Sequence, residues 1–164
     1  MDGNVAGLGE PSRAYEPTVE RFGPQPGPGR TMLVGVDGSD TAMRAAAYAI
    51  GLARRQGYRL LVAFVVTRSG LALTGPAAAF ELRTQQQLHE ELREQVRSAA
   101  EEFGVPVTYL RVYGDPVTAL REAADCSHAD TVVVGASTSA GHRFAGSVAT
   151  RLIKTGHWPV VVVP

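Results

Sequence analysis

From Arg30 to Pro164 the chain alternates short β-branched apolar runs with longer segments of helical spacing, and this alternation restricts the fold more than any single motif. The first run, TMLVGVD, is ended by the turn-forming DGSD. Ser39 is placed to cap the next segment and Asp40 suits a helix N-terminus, with Met43, Ala46, Ala47, Ile50 and Ala53 on one face before Gly57 ends it. YRLLVAFVV reads as a buried strand. After the Gly/Pro loop TRSGLALTGPA a long charged helix carries Leu88, Leu92, Val96, Ala100 and Phe103 as one stripe, stopped by Gly104. Alternating charges opposite such a stripe mark a solvated face. Then come VPVTYLRVY, the helix opening GDPVTALREAA with Pro116 near its first turn, the run TVVVG, the stretch GASTSAGHRFAGS, a short helix, and WPVVVV.

The order is βαβαβαβαβ, which implies right-handed crossovers and a parallel sheet covered on both faces. The expected fold class is therefore α/β, a doubly wound three-layer sandwich. In such sheets a ligand sits at the carboxyl ends of the strands where the connection reverses, here VDGS after the first strand and GASTS after the fourth.

Residues 1–29 have no hydrophobic period and finish in GPQPGPG, so a disordered Pro/Gly-rich tail is expected there, followed by one domain over 30–164. Tyr15, Val19 and Phe22 are apolar anchors within it that could serve a partner site, although scattered hydrophobes are normal in tails. Sixteen acidic and sixteen basic residues balance, so no nucleic acid or anionic membrane surface is expected as partner. No apolar run approaches the roughly 18 residues needed to cross a bilayer. The lone Cys126 forms no internal disulfide, MDGNVAGLGE lacks the features of a secretory signal, and a cytoplasmic location is expected. Cys126 itself reads as a small buried hydrophobe.

The stretch Gly135 to Ser147 invites a phosphate reading. Glycine lets backbone approach a phosphate, and the N-terminus of the following helix offers N–H groups and a positive dipole end, so Gly146 and Ser147 suit an anion. His142 and Arg143 lie inside this loop, where a cation could neutralise phosphate. The known fingerprints do not fit. GHRFAGS has P-loop glycine spacing but Ser147 in place of lysine, GxGxxG is absent after the first strand, and GASTS breaks the hydrolase elbow GxSxG at Ser139. His89, His128, His142 and His157 lack companions at ligand spacing, so no metal is expected and all four are assigned to the surface.

LVGVDGSDTAMRAAAYAIGLA, VYGDPVTALREAADCSHADTVVVGAS and GSVATRLIKTGHWPVVVVP together resemble a universal stress protein, over Arg30 to Pro164. The resemblance implies a small cytoplasmic stress-response protein with a five-stranded parallel sheet of order 3-2-1-4-5, about four helices, and a homodimer paired through the last strand, PVVVVP. One branch of that family binds ATP, which makes ATP, with magnesium, the candidate ligand. Its aspartate corresponds to Asp37, its backbone contact to the region of Val65, and its loop G-x2-G-x9-G-[S/T] to Gly135, Gly146 and Ser147, with Arg143 supplying charge. Here Thr138 replaces the second glycine and seven residues separate it from Gly146, two fewer than in that pattern. Two residues span up to about 7 Å, so a shorter cradle need not hold a triphosphate.

Two functions remain open at this point. One is an adenine-nucleotide sensor using Asp37, Gly135, Gly146 and Ser147. The other is a dimeric interaction protein built on the VVVV edge, its pocket empty and Gly146-Ser147 serving as a helix cap. A hydrolase using Ser137 or Ser139 with His142 and Asp130 would need a positioned base. A protein that binds rather than catalyses is expected.

Overall fold

The structure is a computed structural model describing residues 17–67, 76–137 and 146–164. Its elements are β1 (Thr18–Phe22), β2 (Thr31–Val36), α1 (Asp40–Gln56), β3 (Arg59–Val66), α2 (Pro76–Phe103), β4 (Val107–Tyr113), α3 (Pro116–Ser127), β5 (Thr131–Gly135), α4 (Ser147–Thr155) and β6 (Val160–Val163).

One sheet runs β1-β4-β3-β2-β5-β6. With β1 set aside, the strands follow the expected order 3-2-1-4-5 and all pair in parallel. The continuous apolar runs are explained by cover on both faces. Met32, Val34, Leu60 and Val62 pack with α1 and α2, while Leu33, Leu61, Ala63, Val132 and Val134 pack with α3 and α4. Fully burying side chains of this size stabilises the fold by about 1.5–3 kcal/mol each before ordering entropy is subtracted.

The sheet has six strands, not five, and the sixth comes from the segment expected to be a disordered tail. Thr18–Phe22 pairs antiparallel with β4, from Thr18↔Arg111 to Phe22↔Val107. The physical reason is tertiary: without it β4 would be an open edge of unpaired N–H and C=O groups. Glu20 accepts from Arg93 of α2, Nε to Oε1 at 2.7 Å and Nη2 to Oε2 at 2.5 Å, and the same guanidinium lies 5.6 Å from the centre of the Phe22 ring. Phe22 thus packs against the core, while Val19 is 51% exposed. Tyr15 lies outside the described residues.

Caps fall where the sequence places them. Ser39 Oγ accepts the Ala42 N–H at 3.3 Å, and Gly57 closes α1 at φ 69°. The buried face of α1 is Thr41, Ala42, Ala45, Ala49, Ile50 and Ala53, so the expected stripe is rotated and Ala47 is exposed. The α2 stripe holds, with Leu92, Val96 and Ala100 buried, but it also carries His89, which is 6% exposed and no surface residue. Cys126 is exposed, because α3 buries Val117, Leu120, Ala123 and Ala124 and turns residue 126 outward.

Candidate functional site

A cleft of about 450 Å³ opens at the carboxyl ends of β2, β3 and β5, where neighbours on either side of β2 run off in opposite directions. Asp37, Val65, Gly135, Gly146 and Ser147 all line it, so the fold brings together five of the six residues singled out from sequence. The sixth, Arg143, lies outside the described residues, as do Thr138, Ser139 and His142.

Asp37 follows β2 and is exposed. Its Oδ1 accepts the Ser39 N–H at 2.9 Å across Gly38, whose φ of +84° suits only glycine and whose absent Cβ would lie 2.7 Å from Leu88 Cδ1. The turn fixes the carboxylate and leaves Oδ2 toward solvent or ligand. Val65, half-buried near the end of β3, pairs with Val112 and supplies a wall.

Both loop glycines have packing reasons. A Cβ on Gly135 would lie 2.5 Å from the Thr41 carbonyl carbon and 2.6 Å from the Ala42 nitrogen, so this glycine lets the first turn of α1 rest on the end of β5. A Cβ on Gly146 would lie 2.5 Å from Ser137 Cβ. The chain therefore leaves the site at Ser137 and returns beside it. Gly146 is the N-cap of α4 and, being a glycine, makes no side-chain cap bond of its own, while Ser147 is the first helical residue. Of the pair Gly146-Ser147 expected to serve as a helix cap, Gly146 takes the N-cap position, and as a glycine it brings no side chain to the opening turn of α4, which lines the cleft from Ser147 to Ala149.

Asp115 and Pro116 begin α3 at the rim. Asp115 accepts from Thr118 N at 2.9 Å and Thr118 Oγ1 at 3.0 Å, and from Arg151 of α4 at 3.2 Å. The Thr118 N–H, then its hydroxyl and the Arg151 guanidinium, hold the Asp115 carboxyl below the usual aspartate range. This tie between α3 and α4 escaped the sequence reading. The Asp-Pro-x-Thr spacing announced the cap, but the partner Arg151 is visible only once the helices are adjacent.

Among the described lining residues Asp37 is the sole ionisable side chain. A carboxylate acceptor suits hydroxyl donors, and a glycine-capped helix start suits an anion. Of the hydrolase set weighed from sequence, Asp130 accepts the Thr31 N–H at 2.9 Å at the start of β2, at the opposite end of the sheet from Ser137, while Ser139 and His142 lie outside the described residues. Among the described residues no cluster of three or more His, Cys, Asp or Glu could hold a metal. No helix among them is long and apolar enough to cross a membrane.

The comparisons agree with this geometry. Residues 29–164 match the family model described as the universal stress protein family. A universal stress protein of Methanocaldococcus jannaschii is 30% identical over 138 residues, covering 82% of this chain and 81% of the relative. Among solved structures, a universal stress protein of Lactobacillus plantarum superposes with a TM-score of 0.65 at 26% identity, covering 82% of this chain and 97% of that one. Another, solved in complex with cAMP, has a TM-score of 0.58 at 30% identity and covers 82% of this chain and 96% of that one. The sheet order, the placement of the cleft and the extent of these matches lead to one conclusion: the chain belongs to the universal stress protein family.

Proposed function

We propose that the protein is a regulatory binder of adenine nucleotides, acting by occupancy of the cleft rather than by catalysis. The observation that carries this is that Asp37 and the glycine-capped start of α4 share one cleft of about 450 Å³, inside the usual range of small-ligand pockets. Asp37 accepts from the ribose hydroxyls, Val65 packs beside the nucleoside, and Gly146 and Ser147 meet phosphate through backbone N–H groups and the Ser147 hydroxyl. The described lining contains no lysine or arginine, so one phosphate at α4 is the best-matched load. ATP with magnesium would draw on Arg143 as well. A relative solved in complex with cAMP, 30% identical to this chain, supports the nucleotide class.

The test is calorimetry on nucleotide-stripped protein with AMP, cAMP, ADP and ATP, the last with and without magnesium. Saturable binding that Asp37→Ala weakens at least tenfold supports the reading. No heat from any of them at millimolar concentration would overturn it and leave the interaction-protein reading. That reading draws on β6, whose valines are half-buried and whose outer edge pairs with no strand among the described residues. A homodimer through β6 is proposed under either function, and native mass spectrometry reports it together with any retained nucleotide.

A further inference from the structure

At the opposite end of the sheet a second cavity, about 290 Å³, lies on the α3 side under the amino ends of β2 and β3. Its chemistry follows from register. Leu61 and Ala63 face α3, so Arg59, two residues earlier on β3, faces the same way. Thr31 is opposite Arg59, Thr108 is opposite Leu61, and Arg21 is opposite Thr108. Two arginines and two threonines from four strands therefore share one face at one end of the sheet. The 28-residue helix α2 is on the other face, and α3 reaches this end only with Ser127.

Arg59 is incompletely satisfied. Its Nη2 donates to the Gly29 carbonyl at 2.8 Å, but its Nε is buried and has no hydrogen-bond partner among the described residues. Leaving a buried charged donor unpaired costs more than the ordinary 1–3 kcal/mol of a neutral one, and such a group in a native fold calls for a water or an ion. The nearest candidate acid is committed elsewhere. Asp130 accepts the Thr31 N–H at 2.9 Å, lies 3.9 Å from Arg30, and is not in the cavity wall. No aspartate or glutamate is among the described lining residues, and Pro24 and Pro26 close the outer side with apolar surface.

We infer that this cavity is a second ligand site, distinct from the nucleotide cleft, that takes a small oxyanion-headed molecule, the head on Arg59 and Arg21 and a short apolar body against Pro24 and Pro26. A planar guanidinium fork recognises carboxylate and phosphate alike, so the shared chemistry is an oxyanion. The wall formed by residues 23–26 belongs to the segment that joins β1 to β2, so occupancy of this site also fastens β1 to the sheet.

The test is a two-dimensional amide NMR titration of the full chain with inorganic phosphate and, separately, with acetate. The expected result is saturable shifts at Arg59, Leu60, Thr108 and Ser127 with at least one of the two, the tighter one naming the head group. Arg59→Met and Arg21→Met should each weaken that binding at least fivefold. Melting curves on both variants check folding, and Arg21, which is exposed, keeps the test valid if Arg59→Met does not fold. Shifts confined to Gly146–Ala149, shifts that never saturate, or shifts unaffected by Arg21→Met would overturn the inference.

Discussion

His89 Nδ1 lies 3.1 Å from the Tyr109 hydroxyl, inside the core between α2 and the sheet, with the imidazole stacked at 5.9 Å on Phe64. Both residues are buried, at 6% and 0% exposure. A neutral ring serves this contact, Nδ1 and the phenol sharing one hydrogen bond whose donor is set by the ring's tautomer. Burial first, and Arg111 second, push the His89 pKa below its usual value, while Glu90 and Glu20 pull it back up and Arg93 adds to the lowering. Burial likewise raises the Tyr109 pKa, so the phenol stays protonated at any ordinary pH.

The sign of the pH effect follows. The unfolded chain takes up a proton on this histidine at about pH 6.5 and the folded chain only at lower pH, so stability falls as pH drops below about 6.5. We expect the melting temperature of the wild type to decline between pH 7 and pH 5, and His89→Gln to show a flatter profile over the same window. Parallel profiles for the two proteins would refute this assignment.

The β1 contact titrates in a different window. The Arg93 hydrogen bond is the main reason the Glu20 pKa lies below its usual value, and burial opposes it. That stabilisation is present above about pH 4.5 and lost as pH falls further. Both side chains are about 30% exposed, so the pair is worth about 1 kcal/mol or less. Glu20→Gln should lower stability by that amount at pH 7 and by less at pH 3. Hydrogen exchange at the β4 amides paired with β1 should speed up in the variant, and unchanged exchange would show that β1 is held by other contacts.

The parallel order was legible because fully buried strands must be continuous apolar runs and because helices of this length force crossovers. β1 was not, since Thr-Val-Glu-Arg-Phe alternates weakly and its value lies in partners on β4 and α2 that no local pattern reveals. His89 offered a readable signal. It stands three residues before Leu92 and seven before Val96, on the buried stripe, although its charged neighbours disguised it. Asp37 and Gly135 were legible at strand ends, Gly146 and Ser147 at a helix start and Val65 only through the family resemblance, whereas Thr41 and Ser137 meet the site through packing against glycines.

Gly135 and Gly146 separate packing from binding. A Cβ at residue 135 would meet α1 backbone, which cannot step aside as a side chain can. Gly135→Ala should cost about 1–3 kcal/mol, as overpacked core positions do. Gly146→Ala presses on Ser137 at the mouth of the cleft, so it should weaken nucleotide binding with a smaller loss of stability. Denaturant melts paired with calorimetry would check both, and equal stability losses in the two variants would contradict the assignment.

Asp37 and Ser39 sit in one turn but do different work, and substitutions can tell them apart. Ser39 Oγ caps α1 and contributes about 1 kcal/mol, so Ser39→Ala should lower stability by that amount and leave nucleotide affinity within twofold. Asp37→Asn keeps a side-chain oxygen for the Ser39 N–H and so keeps the turn, but it removes the charge proposed to accept from ribose hydroxyls. It should melt close to wild type and bind AMP or cAMP at least fivefold more weakly. If both variants lose affinity in proportion to lost stability, Asp37 acts only through the turn. If Asp37→Asn alone loses affinity, the carboxylate touches the ligand.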